Sequence, residues 1–266
     1  MKHIFHPLLL IAVFLLACKN QPTPENATAE PKEQQNNLPL SLEDQTHKWS
    51  SGDCDVPDGA CLKIDIKYPK VINGDPTIRE KINEDIRDYI ISTFELEESE
   101  KVIESIEEAA QLFIASYEEI KNDIPESAGE WAMEVSGQHA IHNNVLVIQL
   151  VSYTQFGGVH PNVYLSFTNF DLSTGDEIYI EDIIKDSKAF NRLAEKQFYI
   201  TRDELDEDDL QDAFWGKGFY LPENFAITAK GIKLFYNSYE VLAYIYGQTE
   251  YILPYKDLEG IIELPE

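Results

Sequence analysis

Val145-Leu146-Val147-Ile148-Gln149-Leu150-Val151-Ser152-Tyr153-Thr154 decides how this chain folds. Its β-branched, apolar and aromatic residues suit a strand. Trp131–His139 before it and Asn162–Asp171 after it have the same character, so three strands follow one another through the middle of the chain. Upstream, Leu62, Ile64, Ile66 and Tyr68 alternate with polar residues, the period of a half-buried strand. Asp75-Pro76 reads as the cap and first residue of a helix. Ile78, Ile82, Ile86 and Ile90 then mark one face of that helix. Ile103, Ile106, Ala110, Phe113, Tyr117 and Ile120 mark a second, closed by Pro125 and Gly129.

Downstream, Ser173–Asp176 is a turn and Glu177–Ile180 a short strand. Phe190, Leu193, Ala194, Gln197 and Phe198 lie on a helix. Phe225–Thr228 and Ile232–Tyr236 form a hairpin, Tyr251–Leu253 a last strand, and Pro254–Leu258 a turn or short helix. The pattern predicts an α+β fold: an N-terminal strand and two helices, then a largely antiparallel sheet with one or two further helices.

The chain has 266 residues, with 21 basic against 48 acidic and a net charge of −27. That charge opposes nucleic acid, whose affinity comes from Lys and Arg on phosphates. It equally opposes docking on anionic lipid through a basic patch. The first residues give an address. Lys2 precedes the apolar run Leu8–Ala17, the pattern of a secretory signal. Leu15-Leu16-Ala17-Cys18 resembles the lipobox of bacterial lipoproteins, which implies lipid on Cys18 and removal of residues 1–17. Removal takes away one lysine and leaves −28. Several acyl chains on one Cys anchor stably where a single chain binds marginally.

Residues 18–47 read as lipid anchor and disordered tether, polar and broken by Pro22, Pro24, Pro31 and Pro39. At about 5–6 Å × √n, such a tether holds the folded part on the order of 30 Å from the membrane. The folded part divides at the sequence level into 48–130 and 131–266. Cys54 and Cys61 remain as an even pair around a Pro- and Gly-containing span. In an oxidising compartment this favours a disulfide over a metal site, which needs more ligands nearby, or two free thiols.

Motifs for chemistry are few. No nucleophile elbow, phosphate-binding loop or His-Glu-x-x-His helix occurs. His139, His142 and His160 could converge on a metal, but no acid has the needed spacing, so no metal or cofactor is assigned. Gly157-Gly158 could shape a binding loop with His160, or simply a hairpin turn. Asp203, Glu204, Asp206, Glu207, Asp208 and Asp209 make the densest charge run. It lacks the alternation of an EF-hand and reads as a solvated face or a patch for a cationic partner.

Tyr153-Thr154-Gln155-Phe156-Gly157-Gly158-Val159-His160 resembles the Gly-Gly-Ala-His motif of domain-of-unknown-function family 3298, with Val159 in place of the Ala. The resemblance continues through Phe170-Asp171, Thr174-Gly175, Glu181–Ile184, Tyr239–Val241, Gly247, Pro254-Tyr255 and Leu258. From Ile64 to about Ile120 the chain is similar to the partner domain 4163, through Tyr68-Pro69 and Ile82-Asn83. Members of this pair occur in lysozyme-sensing anti-sigma factors, beside polysaccharide-deacetylase domains, and as stand-alone lipoproteins. The resemblance implies the stand-alone form, a non-enzymatic binding or sensing module of the cell envelope. Its ligand would be a cationic protein such as lysozyme, or peptidoglycan-related material. The competing class is a cell-wall glycan hydrolase or transferase working through two carboxylates. A cleft holding a raised-pKa carboxylate beside a second one would favour that class, and a shallow acidic surface the binder.

Overall fold

The computed structural model describes residues 39–56, 59–96, 102–124, 129–156 and 160–265. In chain order the elements are β1 (Ser41–Gly52), β2 (Cys61–Asn73), α1 (Pro76–Ser92), α2 (Ile106–Asp123), β3 (Glu130–His142), β4 (Val145–Phe156) and β5 (Asn162–Asp171). Then come α3 (Ile180–Ile183), α4 (Ser187–Thr201), α5 (Glu207–Asp212), β6 (Phe225–Ile227), β7 (Gly231–Tyr236) and β8 (Thr249–Pro254). The first five strands form one sheet in sequence order and the last three a second. The fold is α+β, as the pattern predicts.

Strand β4 shows how the layers stack. Its even residues Leu146, Ile148 and Leu150 join the core with Ile82, Ile86 and Ile90 of α1 and Phe113 and Tyr117 of α2. Its odd residues Val145 and Val147 join a second core with Phe190, Ala194 and Phe198 of α4 and Ile232, Leu234 and Tyr236 of β7. A strand covered on both faces needs apolar residues in succession, which explains the unbroken run at 145–148.

Within the larger sheet every pairing is antiparallel except β2 with β3, which run parallel from Cys61↔Glu130 to Lys67↔Ser136. Parallel neighbours need a crossover, and α1 with α2 supplies it. Asp75 caps α1 by accepting from the N–H groups of Thr77 and Ile78, with Pro76 behind it. Ser105 caps α2, so the predicted helix position Ile103 lies ahead of the first turn. Where β3 crosses β2, a Cβ on Gly137 would stand 2.5 Å from Pro69 Cδ and 2.8 Å from Leu150 Cδ2. Glycine is the residue that permits that approach.

The far edge of β5 is closed by asparagines instead of another strand. Asn237 Oδ1 accepts from Leu165 N–H at 2.9 Å and Asn224 Oδ1 from Phe167 N–H at 2.7 Å. The Leu165 carbonyl accepts from the side-chain amides of both. In the other direction Asn169 donates to the Phe225 carbonyl at 2.9 Å and accepts from Ile227 N–H at 2.8 Å. All three asparagines are buried. They join the two sheets while satisfying an edge that would otherwise seek another strand.

Three expectations are corrected. The tether was expected to run to His47, but β1 starts at Ser41 and pairs along the whole of β2. Its mostly polar sequence suits a sheet edge facing water and lacks a strong apolar alternation. Glu177–Ile180 is not a strand: it contributes one bridge, Phe170↔Glu177, and then enters α3. The division at 130/131 falls where β3 begins, inside the larger sheet. The two cores meet instead on the opposite faces of β4.

Candidate functional site

Cys54 and Cys61 form the expected disulfide, with Cα atoms 4.8 Å apart. It closes the turn between β1 and β2. Cys18 lies outside the described residues, as do Gly157 and Gly158. His160 stacks on Tyr244 with ring centroids 4.5 Å apart.

The acidic run is largely built into its surroundings. Glu204 pairs with Arg202, a nearly buried guanidinium that also donates to the Tyr246 carbonyl. Asp206 caps α5 by accepting from Asp209 N–H, and Asp209 accepts from the Tyr246 hydroxyl. Asp203 and Asp208 remain exposed; the Glu207 side chain is outside what is described. His139 and His142, both on β3, line one small cavity of 170 Å³ with Lys233 and Thr228. Among the described residues no three His, Cys, Asp or Glu side chains are grouped to hold a metal.

The arrangement most suited to a ligand was not singled out from sequence. A 540 Å³ cleft is lined by Asp85 and Tyr89 of α1, Tyr164, Ser166 and Thr168 of β5, Glu177, Tyr179 and Glu181 around the start of α3, and Glu223 and Asn224. Local geometry explains each side. Lys81, Asp85 and Tyr89 recur every four residues, so they share the helix face beside the buried Ile82, Ile86 and Ile90. Tyr164, Ser166 and Thr168 alternate on one strand face, the face that farther along carries Phe170 into the core under α1. The turn before α3 is tied to α1 by Lys81, which pairs with Asp176 and donates to the Thr174 carbonyl.

Burial raises the Glu177 carboxyl above its ordinary range; the Tyr179 hydroxyl bonded to it pulls the other way, and the charge of Asp85 pushes it up again. Asp85 is raised too, first by burial and then by Asp88 and Glu84. Burial pushes Tyr89 up to about 12, although it bonds Ser166, and also raises Tyr164. At neutral pH these tyrosines are neutral, with donor hydroxyls and open rings. The cleft therefore offers carboxylates crowded with like charges, which a cation would relieve, between aromatic faces suited to a cationic or flat ligand. Glu177 and Asp85 are both raised, whereas the two carboxyls of a glycan-cleaving enzyme are pushed apart, one kept protonated and the other ionised.

The molecule is thus a two-core α+β protein with an acidic, tyrosine-lined cleft between its first and second halves. Residues 57–163 match the family model described as deacetylase PdaC, and residues 174–256 the model described as protein of unknown function DUF3298. The cleft takes residues from both matched stretches and from the residues between them. A crystal structure of a DUF3298 family member from Bacteroides fragilis superposes with a TM-score of 0.66 at 17% identity, covering 84% of this chain and 94% of that one. A DUF3298 family protein from Pseudomonas aeruginosa gives 0.61 at 21% identity, covering 85% and 96%. No curated protein matches.

Proposed function

We propose that this chain is a lipid-anchored module of the bacterial cell envelope, similar to the extracellular part of lysozyme-sensing anti-sigma factors, whose cleft binds a cationic ligand without chemical turnover. The lipobox-like residues before Cys18 and the polar stretch behind it support the address; the 3298 and 4163 resemblance supports the role. The cleft carries the reading. Asp85, Glu177, Glu181 and Glu223 surround tyrosine rings, a setting for Lys or Arg side chains. A net charge of −27 would speed the approach of a cationic protein. Lysozyme, the partner implied by the resemblance, is the first candidate.

Calorimetry of the full-length chain with lysozyme tests this. Binding is expected at low salt and should weaken towards 1 M, as the Debye length falls from about 10 Å at 0.1 M to about 3 Å. Glu177→Gln and Asp85→Asn should each weaken it about tenfold, the equivalent of one charge-assisted contact at about 1.5 kcal/mol. No heat at either salt, or unchanged affinity in both variants, sinks the reading.

A second reading is kept because Glu177, raised by burial, stands with Asp85 in one cleft. A glycan hydrolase or transferase also works through two carboxyls, one as acid and the other as nucleophile or base. Release of soluble fragments from isolated cell wall, abolished by Glu177→Gln, would decide for it. The anchor has its own test: Cys18→Ala should move the protein from the membrane fraction to the soluble one. A variant that stays with the membrane removes the lipoprotein address.

A further inference from the structure

The two edges of the larger sheet are treated differently. Asn224 and Asn237 take up the β5 edge, whereas β1 at the opposite end has a strand on one side only. Which of its backbone groups are free follows from β2. Near both of its ends β2 turns odd-numbered residues away from β1. Cys61 N–H donates to the Gly129 carbonyl, and Val71 bonds the Asn83 side chain through both its N–H and its carbonyl. The β1–β2 pairing runs without a shift from Leu42↔Val71 to Gly52↔Cys61, and backbone groups alternate in direction along a strand. Leu42, Asp44, Thr46, Lys48 and Ser50 therefore point their N–H and C=O groups out of the sheet edge. Among the described residues no other strand pairs with them. A long open edge of this kind is a template for a further strand.

We infer that this edge pairs with the same edge of a second copy, antiparallel about a two-fold axis at Thr46. A two-fold dimer sets outward-pointing residues against outward-pointing residues. Centred on Thr46, it places Thr46 opposite Thr46, Asp44 opposite Lys48, and Leu42 opposite Ser50 of the copy. Opposite charges then meet on both sides of the axis. On the other sheet face Gln45 stands opposite His47 and Glu43 opposite Trp49, so like charges do not meet. A slip of two residues sets Lys48 opposite Leu42 or Thr46 and loses both pairs. Within each chain Lys48 pairs with Asp65 and Asp44 with Lys67, yet these side chains remain 44–68% exposed. The joined sheets thus carry a row of alternating sign: Asp65, Lys48, then Asp44 and Lys67 of the copy. Net charge selects the same edge. A chain of −27 repels its copy, but β1 and β2 carry four lysines against three acids. The edge is separate from the cleft, and the inference holds whatever the cleft binds.

The test uses the full-length chain with Cys18→Ala, which leaves no free thiol beside the Cys54–Cys61 disulfide. Sedimentation velocity should show a monomer–dimer equilibrium. A hydrogen-bonded pair sets its Cα atoms about 5.5 Å apart, within disulfide reach, so Thr46→Cys should give a linked dimer on mild oxidation. Ser50→Cys, likewise exposed on β1, should not, because this register puts the two copies of residue 50 at opposite ends of the paired strands. Thr46→Pro should weaken association about a hundredfold, since both hydrogen bonds donated at the axis are lost. Its thermal midpoint should be kept, because the N–H that proline removes points away from β2. A chain monomeric at every concentration, an undiminished dimer in Thr46→Pro, or equal cross-linking by Ser50→Cys overturns the inference. So does Thr46→Cys that cross-links in cells only to a different protein, which gives the edge another occupant.

Discussion

Asn169→Ala should destabilise the protein more than the loss of one polar side chain suggests. The Asn169 amide serves two buried backbone groups of β6, the carbonyl of Phe225 and the N–H of Ile227, and is 1% exposed. Alanine leaves both orphaned where water has little access, and each costs about 1–3 kcal/mol. The loss falls on the junction between the two sheets, so it should also uncouple them. Urea denaturation followed by far-UV circular dichroism should show a lower midpoint. Fluorescence from Trp131, in the helix-covered core, should report a later transition than the whole-chain signal. An unchanged midpoint would mean that the asparagines decorate an interface held by apolar packing alone.

Phe198→Ala should be the most damaging single truncation. Phe198 on α4 is fully buried, and around it stand Phe214 at 4.7 Å, Tyr236 at 5.6 Å, Phe219 at 6.3 Å and Tyr251 at 6.5 Å between centroids. Truncation leaves a cavity among rigid rings that cannot collapse, at a cost of about 3–5 kcal/mol. Native stability is about 5–15 kcal/mol, so the loss removes a large share of the margin and should lower the denaturation midpoint steeply. Phe198→Leu, which keeps most of the volume, should cost much less. A shift in chemical denaturation of under about 1 kcal/mol for the alanine variant would show that this core is looser than its geometry.

Several elements were legible because their cause is local. Asp75-Pro76 and the four-residue isoleucine spacing specify α1 through capping and one apolar face. Ser173–Asp176 specifies a turn, and Ala229-Lys230-Gly231 between two apolar runs specifies the hairpin. Two cysteines around a turn gave their pairing. Strand β1 was missed for an equally physical reason. Ser41–Gly52 is stabilised by backbone bonds to β2 along its length, and those bonds leave no mark on its side-chain pattern. The acidic run was legible as charge only, since the bonds that occupy Glu204 and Asp209 come from Arg202 and from Tyr246, 37 residues from Asp209.

By itself the sequence determined the class of fold, the position of most elements, the disulfide partners and the strong negative charge. Each follows from neighbours a few residues apart or from composition. Only the tertiary structure decided where a ligand could sit. Asp85 and Tyr89 come from the crossover helix, Tyr164 from the sheet edge, Glu177 from a turn and Glu223 from a loop. In a chain with 48 acidic residues, no spacing distinguishes the few that crowd together, because the crowding is made by the docking of α1, β5 and the turn before α3.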